Sequence, residues 1–244
     1  MPEKIKVVSK TNRLLVCEAD DAAVITNALV DNIPWPLETP TLLVNFKHEI
    51  PEDFAALNKN LSGKYLARLI YRTQRDGLTV PNQCATPSGI DDYPFKSSAE
   101  VQELYLSTEK NYFGGPWAKK LGYPWKQYLE SEYLKIIQTN AEQHIPEAKV
   151  FCLGKSGHPI ALLPLNKAKY FDGTDIDWIT WVWIDPGLTG DERCEVKSRM
   201  VSWLKSQVVD VVATGANPFN VASNKFLKKI GFHSECLQIT RPGY

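Results

Sequence analysis

The chain has 244 residues, of which 43% are hydrophobic and 23% charged, and its 28 basic and 28 acidic residues give a formal net charge of zero. A chain of this length can bury one large core or two small ones, whereas the balanced charge argues against non-specific nucleic-acid binding, which needs a basic surplus. No apolar run approaches the roughly 18 residues of a membrane span. The N-terminus lacks the apolar core of a signal peptide, so we expect no membrane association and a cytoplasmic location.

The first third of the chain alternates strand and helix signals. Strands are predicted at residues 12–17, 41–46 and 64–71, and helices at residues 20–32 and 51–60. This α/β segment, residues 1–78, is either a second layer on the main sheet or a degenerate half-copy of the fold that follows it. Residues 79–96 are dense in turn-forming residues, which predicts a linker.

Residues 97–244 form the second predicted unit. Apolar residues at helical spacing predict helices at 97–112 and 124–143, whose aromatic residues either belong to the core or line an acceptor pocket. From residue 149 we predict a hairpin with a Ser-Gly turn, a long aromatic strand at 177–185, a helix at 192–206, a strand at 208–213, a helix, and a final strand at 236–240. The predicted fold class is therefore α/β, with a mixed α+β sheet.

The most informative stretch is the run NVASNKFLKKIGF, residues 220–232. Pro218 allows a helix to begin just after it, and either Asn217 or Asn220 can cap the first backbone N–H groups. Gly231 stands where a left-handed C-cap belongs. An ordinary amphipathic helix also fits, but the β-branched run at residues 208–213 precedes it closely, which indicates a strand–loop–helix unit.

This stretch resembles the signature of the GNAT superfamily, the GCN5-related N-acetyltransferases, which move an acyl group from acyl-coenzyme A to an amine. The signature Asn-x-x-(Ala/Ser)-x-x-Leu-Tyr-x-x-x-Gly-Phe is matched by Asn220, Ser223, Phe226, Gly231 and Phe232. Leu227 stands at the tyrosine position. The similarity in order of elements covers roughly residues 97–244, and it implies an acyl-CoA N-acyltransferase-like fold with an additional N-terminal α/β segment.

The resemblance also implies a cosubstrate and an acceptor. Acetyl-CoA or another acyl-CoA would be the donor, and a primary amine of a small molecule, with amino sugars as one class, would be the acceptor. The donor would lie where two parallel strands separate, so that the first strand, through Ile184, binds the pantetheine with its backbone. Asn220 and Ser223 would face it from the following helix.

The pyrophosphate would bind at the loop and helix N-terminus after the first strand, and the candidates there are Gly190, Arg193 and Ser198. The family pattern Arg/Gln-x-x-Gly-x-Gly/Ala is not kept, because a register set on Arg193 places Val196 and Ser198 at the glycine positions. Three interpretations stay open. The loop is reshaped, the donor is unusual, or donor binding is weakened or lost.

Catalysis in such a fold needs a proton acceptor for the amine and a donor for the thiolate. Asp185 is the candidate base, with the capping of a Pro-Gly turn as its alternative role. Leu227 cannot donate a proton, so Tyr244 is the candidate acid, although a frayed C-terminus is its alternative. The competing function is a non-catalytic GNAT-like binding or regulatory protein.

The five cysteines are scattered without a CxxC pair, which indicates neither a zinc site nor a disulfide framework. Several of them lie in apolar strands, as in proteins of a reducing compartment. We expect Cys194, beside two glutamates near a helix N-terminus, to have a packing role. No metal site is predicted.

Overall fold

A computed structural model of the chain describes residues 5–10, 14–19, 25–26, 30–33, 41–46, 65–81, 89–113, 134–218 and 220–240. These residues contain eleven strands and four α-helices. The strands are β1 (Ile5–Lys10), β2 (Leu14–Ala19), β3 (Thr41–Phe46), β4 (Leu66–Gln74), β5 (Ile90–Asp92), β6 (Lys149–Lys155), β7 (His158–Lys169), β8 (Asp175–Ile179), β9 (Trp183–Ile184), β10 (Val211–Ala216) and β11 (His233–Thr240). The helices are α1 (Ser98–Phe113), α2 (Leu134–His144), α3 (Gly190–Gln207) and α4 (Val221–Lys229).

All eleven strands belong to one mixed sheet, in the order β1-β2-β3-β11-β4-β10-β8-β7-β6-β5, with β9 paired to β7. Two pairs are parallel, β2 with β3 and β8 with β10. The other pairs are antiparallel. The mixed α/β class predicted from the sequence is therefore confirmed, and the strands of residues 1–78 continue the same sheet as those of the C-terminal part.

The sheet has an internal regularity centred on the pair β4 and β11. Outward from that pair on one side lie β3, β2 and β1, joined by an antiparallel, a parallel and an antiparallel pairing. On the other side lie β10, β8 and β7, joined by the same three kinds of pairing in the same order. Each half of the chain thus gives its last strand, β4 or β11, to the other half.

Helices cover both faces of the sheet. On one face, α3 and α4 pack through Val196, Met200, Leu204, Leu227 and Ile230 against the inward residues of the strands. On the other face, α1 and α2 pack against β6 and β7 through Val101, Tyr105, Ile137, Ala141, Cys152 and Leu162. Full burial of each large apolar side chain contributes about 1.5–3 kcal/mol, so this two-sided packing is what holds the helices in place.

Several predicted elements form close to their predicted bounds. The hairpin of β6 and β7 turns at Ser156 and Gly157, with φ of 54° and 77°, the two positive values that a type I′ turn requires. The helix predicted at 192–206 is α3. It begins with a capping box, in which the Thr189 side chain accepts from the backbone N–H of Glu192 and the Glu192 side chain accepts from that of Thr189.

The strand predicted at 208–213 was placed wrongly. Val208 is the C-cap of α3, since its N–H donates to the Leu204 carbonyl at 3.0 Å, and Val209 is 72% exposed. The strand is β10, three residues further on. Ile90–Asp92, inside the predicted linker, forms β5 at the edge of the sheet. The helix predicted at 51–60, most of the one predicted at 20–32, and residues 124–133 of the one predicted at 124–143 lie outside the described residues.

The single long strand predicted at 177–185 was also wrong. The structure divides it into β8 and β9, with irregular backbone at residues 180–182. The packing role expected of Cys194 was wrong as well, since this residue is disulfide-bonded. Cys17, Cys152 and Cys236 are buried free thiols.

No helix among the described residues has the length and apolarity needed to cross a membrane. The same part of the chain contains no group of three or more His, Cys, Asp or Glu side chains that could hold a metal ion.

Candidate active site

The strands β8 and β10 separate at their C-terminal ends. They pair in register only from Asp177 opposite Val212 to Ile179 opposite Thr214. Past Ile179 the backbone that continues from β8 follows β7 instead of β10. The Thr180 N–H donates to the Pro164 carbonyl at 3.1 Å, and β9 pairs with β7.

Meanwhile β10 continues for two residues, Gly215 and Ala216, which among the described residues pair with β4 alone. A strand has two edges that can form hydrogen bonds. One edge of residues 180–185 is used by β7, so the other faces the separation from β10. This separation is the centre of the candidate site.

Side chains fix the point where the two strands part. The Thr214 hydroxyl donates to the Ile179 carbonyl at 3.1 Å and so closes the paired part. One residue further on, the Asn166 amide donates to the Thr180 hydroxyl at 2.8 Å and holds the departing chain on β7. The separation is therefore determined by specific buried or half-buried hydrogen bonds on both sides.

One wall of the site comes from α1. The Trp181 indole N–H donates to the Thr108 hydroxyl at 3.0 Å, and that hydroxyl donates to the Tyr105 carbonyl at 2.9 Å. The Tyr112 ring meets the Trp181 ring edge to face, with centroids 5.1 Å apart. Burial raises the pKa of Tyr112 to about 12, against the opposing effect of hydrogen bonds from Asn220 and Asn217. Tyr112 is therefore protonated at neutral pH.

The opposite wall is the N-terminus of α4. The Asn220 side chain caps this helix, as its Oδ1 accepts from the Ser223 N–H at 3.1 Å. Its Nδ2 donates to the Tyr112 hydroxyl, so the same amide ties α4 to α1. The predicted pair Asn220 and Ser223 is thus joined directly, beside Tyr112 of α1, an aromatic residue of the helix predicted at 97–112.

The loop between β10 and α4 is held by a buried amide, Asn224, which is 3% exposed. Its Nδ2 donates to the carbonyls of Asn217 and Pro218 at 3.0 and 3.1 Å. Its Oδ1 accepts from the Tyr71 hydroxyl of β4 at 3.0 Å. The Nδ2 group of Asn224 thus makes two hydrogen bonds and its Oδ1 makes one, and together they fix the loop that carries Asn220.

A buried carboxylate lies on α1 next to Thr108. Glu109 is 5% exposed, and it accepts a hydrogen bond from Tyr105, whose pKa is raised by burial first and then by the Glu109 charge. Nearby, the Arg68 side chain crosses the end of β10, since its Cδ lies only 2.1 Å from where a Cβ on Gly215 would be. Glycine is required at this position for the arginine to reach over the strand.

The loop after β9 holds itself together. The Asp185 carboxylate accepts from the Gly187 N–H at 2.8 Å, which is the turn-capping role named as its alternative. The Arg193 guanidinium donates from Nη2 to the Pro186 carbonyl at 3.0 Å and the Leu188 carbonyl at 2.9 Å. Gly190 opens α3, and a Cβ placed on it would meet no atom within 4 Å.

The N-terminus of α3 already contains an anion from the chain itself. The Glu192 carboxylate accepts from Thr189 in the capping box and pairs with the Lys155 ammonium of β6. The Lys155 contact first, and then the Thr189 N–H, lower the pKa of Glu192 to about 2. A helix N-terminus favours negative charge, and here that charge is intramolecular.

The remaining candidates are less central to this arrangement. Ser198 is 6% exposed and lies about two turns into α3. Ile184 is half-buried in β9, opposite Ala161 of β7. Tyr244 lies outside the described residues. Asp185 lies in the loop after β9, and Gly190 and Arg193 lie in the first turn of α3 that follows it.

No family model matches the sequence. No curated protein matches it. Solved structures do resemble it. A functionally unknown conserved protein from Staphylococcus epidermidis ATCC 12228 aligns with a TM-score of 0.50 at 11% identity, over 98% of this chain and 94% of that chain.

A GCN5-related N-acetyltransferase from Kribbella flavida aligns with a TM-score of 0.46 at 12% identity, over 94% of this chain and 82% of that chain. A tandem GNAT protein from the clavulanic acid biosynthesis pathway aligns with a TM-score of 0.42 at 12% identity, over all of this chain and 85% of that chain. At these identities the likeness concerns the fold alone.

Proposed function

We infer that this chain, which has the GNAT fold, is an acyl-coenzyme A-dependent N-acyltransferase acting on a primary amine of a small molecule. The observation that carries the inference is the separation of residues 180–185 from β10 beyond Ile179. Backbone N–H and C=O groups on an open strand edge need partners. The amides of an extended pantetheine arm can pair with such an edge as an added strand does.

The reaction needs three events at the thioester. The amine nitrogen attacks the carbonyl carbon, the new C–N bond forms as the C–S bond breaks, and one proton leaves the amine while the thiolate gains one. Holding an amine about 3–3.5 Å from the carbonyl carbon supplies most of the rate, so the protein's main task is placement. Trp181, packed against Tyr112 at the parting of the strands, is positioned to shield the thioester from water.

For the proton from the amine we propose Glu109 as the first candidate. It is a buried carboxylate on α1, next in sequence to Thr108, which binds Trp181 at the parting of the strands. Asp185 is the second candidate. It lies six residues beyond Ile179, at the far end of the departing segment, and its Oδ1 is engaged by Gly187.

The proton that the thiolate gains can come from a tyrosine hydroxyl. Leu227 is buried and cannot donate, whereas Tyr112 keeps its proton at neutral pH because its pKa is about 12. We propose Tyr112 as the acid, with Tyr244 as the alternative. Asn220 binds the Tyr112 oxygen and Ser223 follows it on α4, so both residues would bind next to the donor.

For the donor we propose acetyl-CoA or another acyl-CoA, with the backbone of Ile184 as part of the pantetheine edge. Gly190, Arg193 and Ser198 stay candidates for the phosphate end. The second function, a GNAT-like binding module without activity, has two observations in its favour, the apolar Leu227 and the internal anion at the N-terminus of α3.

We also propose that residues 1–78 are a degenerate half-copy of the C-terminal unit, residues 97–244, joined to it by the linker 79–96. The mirrored order of pairings about β4 and β11 supports this. In the N-terminal half, β2 and β3 pair along all six residues of both strands, from Leu14 opposite Thr41 to Ala19 opposite Phe46. Because these strands do not part, we expect one donor site in each chain.

Release of free thiol from acetyl-CoA, measured with a panel of primary amines that includes amino sugars, tests the activity. The matched pair of variants is Glu109→Gln and Glu103→Gln, which remove one carboxylate each from α1 at a buried and an exposed position. We expect Glu109→Gln to lower kcat by roughly 10²-fold or more, as for loss of a general base, and Glu103→Gln to keep it.

Coenzyme A binding separates the two functions. A ligand at a hundred times its Kd stabilises the folded chain by about 2.7 kcal/mol, which a thermal shift detects. Binding without transfer to any amine would favour the non-catalytic module. Absence of any shift with coenzyme A or acetyl-CoA would refute the transferase and leave the non-catalytic module, which the internal anion at the N-terminus of α3 favours.

A further inference from the structure

An arginine from the N-terminal part of the chain lies at the separation of the strands. Arg68 belongs to β4, the strand next to β10, and the aliphatic part of its side chain crosses β10 at Gly215. A Cβ on Gly215 would lie 2.1 Å from the Arg68 Cδ and 3.1 Å from its Nε. Gly215 follows Thr214, whose hydroxyl closes the paired part of β8 and β10. The positive charge of Arg68 is therefore held over the end of β10 that β8 has left.

The charge of Arg68 also reaches the wall that α1 forms. Burial raises the pKa of both Tyr105 and Tyr112, and the positive charge of Arg68 acts in the opposite direction on each of these hydroxyl groups. Tyr105 also donates a hydrogen bond to Glu109, the proposed base. A positive and a negative group thus lie near the same tyrosine hydroxyl, on the side of the separation that α1 covers.

Arg68 differs in its partners from Arg72, the next arginine on the same face of β4. The Nη1 of Arg72 lies 3.3 Å from a Glu235 oxygen and 3.5 Å from an Asp172 oxygen. Its guanidinium carbon lies 4.8 Å from the centroid of the Tyr170 ring. In the part of the chain that the structure describes, no carboxylate forms a salt bridge with Arg68, which is exposed. Its planar set of donors is therefore accessible to an anionic group of a ligand.

We propose that Arg68 binds a carboxylate of the acceptor, so that the chain acts on primary amines that also carry a carboxylate group. This assignment rests on the proposed acyltransferase function. One guanidinium matches the single charge of a carboxylate and can bind both of its oxygens. With Glu109 near the amine and Arg68 near the carboxylate, the site would match such an acceptor in the sign of both charges. An amino sugar without an acidic group would leave Arg68 unused.

Acetyl transfer from acetyl-CoA to matched pairs of acceptors tests the assignment. Each pair consists of an ω-amino acid and its own amide, which lacks the negative charge, and the pairs cover a series of chain lengths. We expect the wild-type chain to prefer the acid of at least one pair, measured as a ratio of kcat/KM. Arg68→Gln should reduce that ratio by roughly ten-fold or more, through the KM of the acid. Lys149→Gln, which removes an exposed cation from β6, is the matched control and should keep the ratio.

Gly215→Ala is an independent test, because it keeps the arginine and blocks its path across β10. The new Cβ would meet the flexible side chain of Arg68, which can move away into solvent. We expect this variant to lose the preference for the acid as Arg68→Gln does. Arg68→Lys should retain part of it, because an ammonium group keeps the charge but lacks the planar arrangement of donors. Wild-type urea midpoints for these variants would show that the changes are not due to unfolding.

The outcomes distinguish the assignment from the function it rests on. If the wild-type chain acetylates no amine, the proposed function fails and the acceptor assignment fails with it. If it acetylates amines but uses acids and amides equally, or if Arg68→Gln keeps the wild-type ratio, the acceptor assignment alone is overturned. An aminoalkyl phosphate in the same assay identifies the anion. A preference for the phosphate over the acid that Arg68→Gln removes would overturn the choice of a carboxylate.

Discussion

Replacing Asn224 by leucine should destabilise the chain strongly. Leucine has the same branched shape as asparagine, is somewhat larger, and neither donates nor accepts. The change therefore removes three hydrogen bonds and leaves the Tyr71 hydroxyl and the carbonyls of Asn217 and Pro218 without this partner. Each bond contributes about 1 kcal/mol net, and buried groups left without partners add to the loss. We expect a decrease of roughly 3–5 kcal/mol in the free energy of unfolding.

Urea unfolding followed by fluorescence measures this decrease as a shift of the midpoint at an unchanged slope. The control is Lys225→Leu, an exposed neighbour on α4, which should change stability by less than about 0.5 kcal/mol. Tyr71→Phe should cost less than Asn224→Leu, and the double variant should cost less than the sum, because both remove the same hydrogen bond. If the free energy of unfolding of Asn224→Leu lies within about 0.5 kcal/mol of the wild-type value, which is roughly the error of such comparisons, the reasoning about this amide is wrong.

Three further outcomes are expected. Gly231→Ala should destabilise the chain far more than Gly157→Ala in urea unfolding. Both glycines have positive φ, of 96° and 77°, but only at Gly231 would the new Cβ lie 2.0 Å from the Gly77 carbonyl oxygen. Equal losses of stability would contradict this. Because folding lowers the pKa of Glu192 from 4.5 to about 2, its stabilisation is complete above about pH 5 and is lost as the pH falls from about 4.5 to 2. Glu192→Gln should therefore flatten the decline of the urea midpoint between pH 6 and pH 3, and an unchanged slope against pH would refute the role of the ion pair. Titration calorimetry should give one coenzyme A per chain, whereas two sites would show that the paired strands β2 and β3 also bind a donor.

Local signals in the sequence were enough for the hairpin and for α3. The Ser-Gly pair at 156 and 157 requires positive φ at both positions, and the capping box at Thr189 and Glu192 is a purely local pattern. Local signals did not determine the position of β10. The valine-rich segment VVDVV, Val208 to Val212, crosses from the end of a helix into a strand, and composition alone does not show that the Val208 N–H still donates to the Leu204 carbonyl.

The division of the predicted strand at 177–185 depends on a tertiary contact. Its aromatic and β-branched residues favour a strand throughout, and the break follows from the separate partners Asn166 and Thr214 on neighbouring strands. No spacing within the segment contains that information. The pairing of β4 with both β10 and β11 is equally non-local, since these strands are more than 130 residues away along the chain.

Part of the site had a sequence signal that was not used. Val101, Tyr105, Thr108 and Tyr112 follow one another at helical spacing, so three hydroxyl groups lie on the stripe that α1 turns to the core. Polar residues at core positions of a helix need partners. Here Thr108 binds Trp181 and Tyr112 binds Asn220, which links α1 to both sides of the parted strands.

Backbone hydrogen exchange with and without coenzyme A tests the central claim most directly. If the donor lies between the departing chain and β10, amides at residues 181–184 and 215–217 should exchange more slowly at saturating coenzyme A, while β1 and β2 should be unchanged. Unchanged exchange at residues 181–184 in the presence of bound coenzyme A, or protection confined to another part of the sheet, would contradict the placement of the donor in this separation.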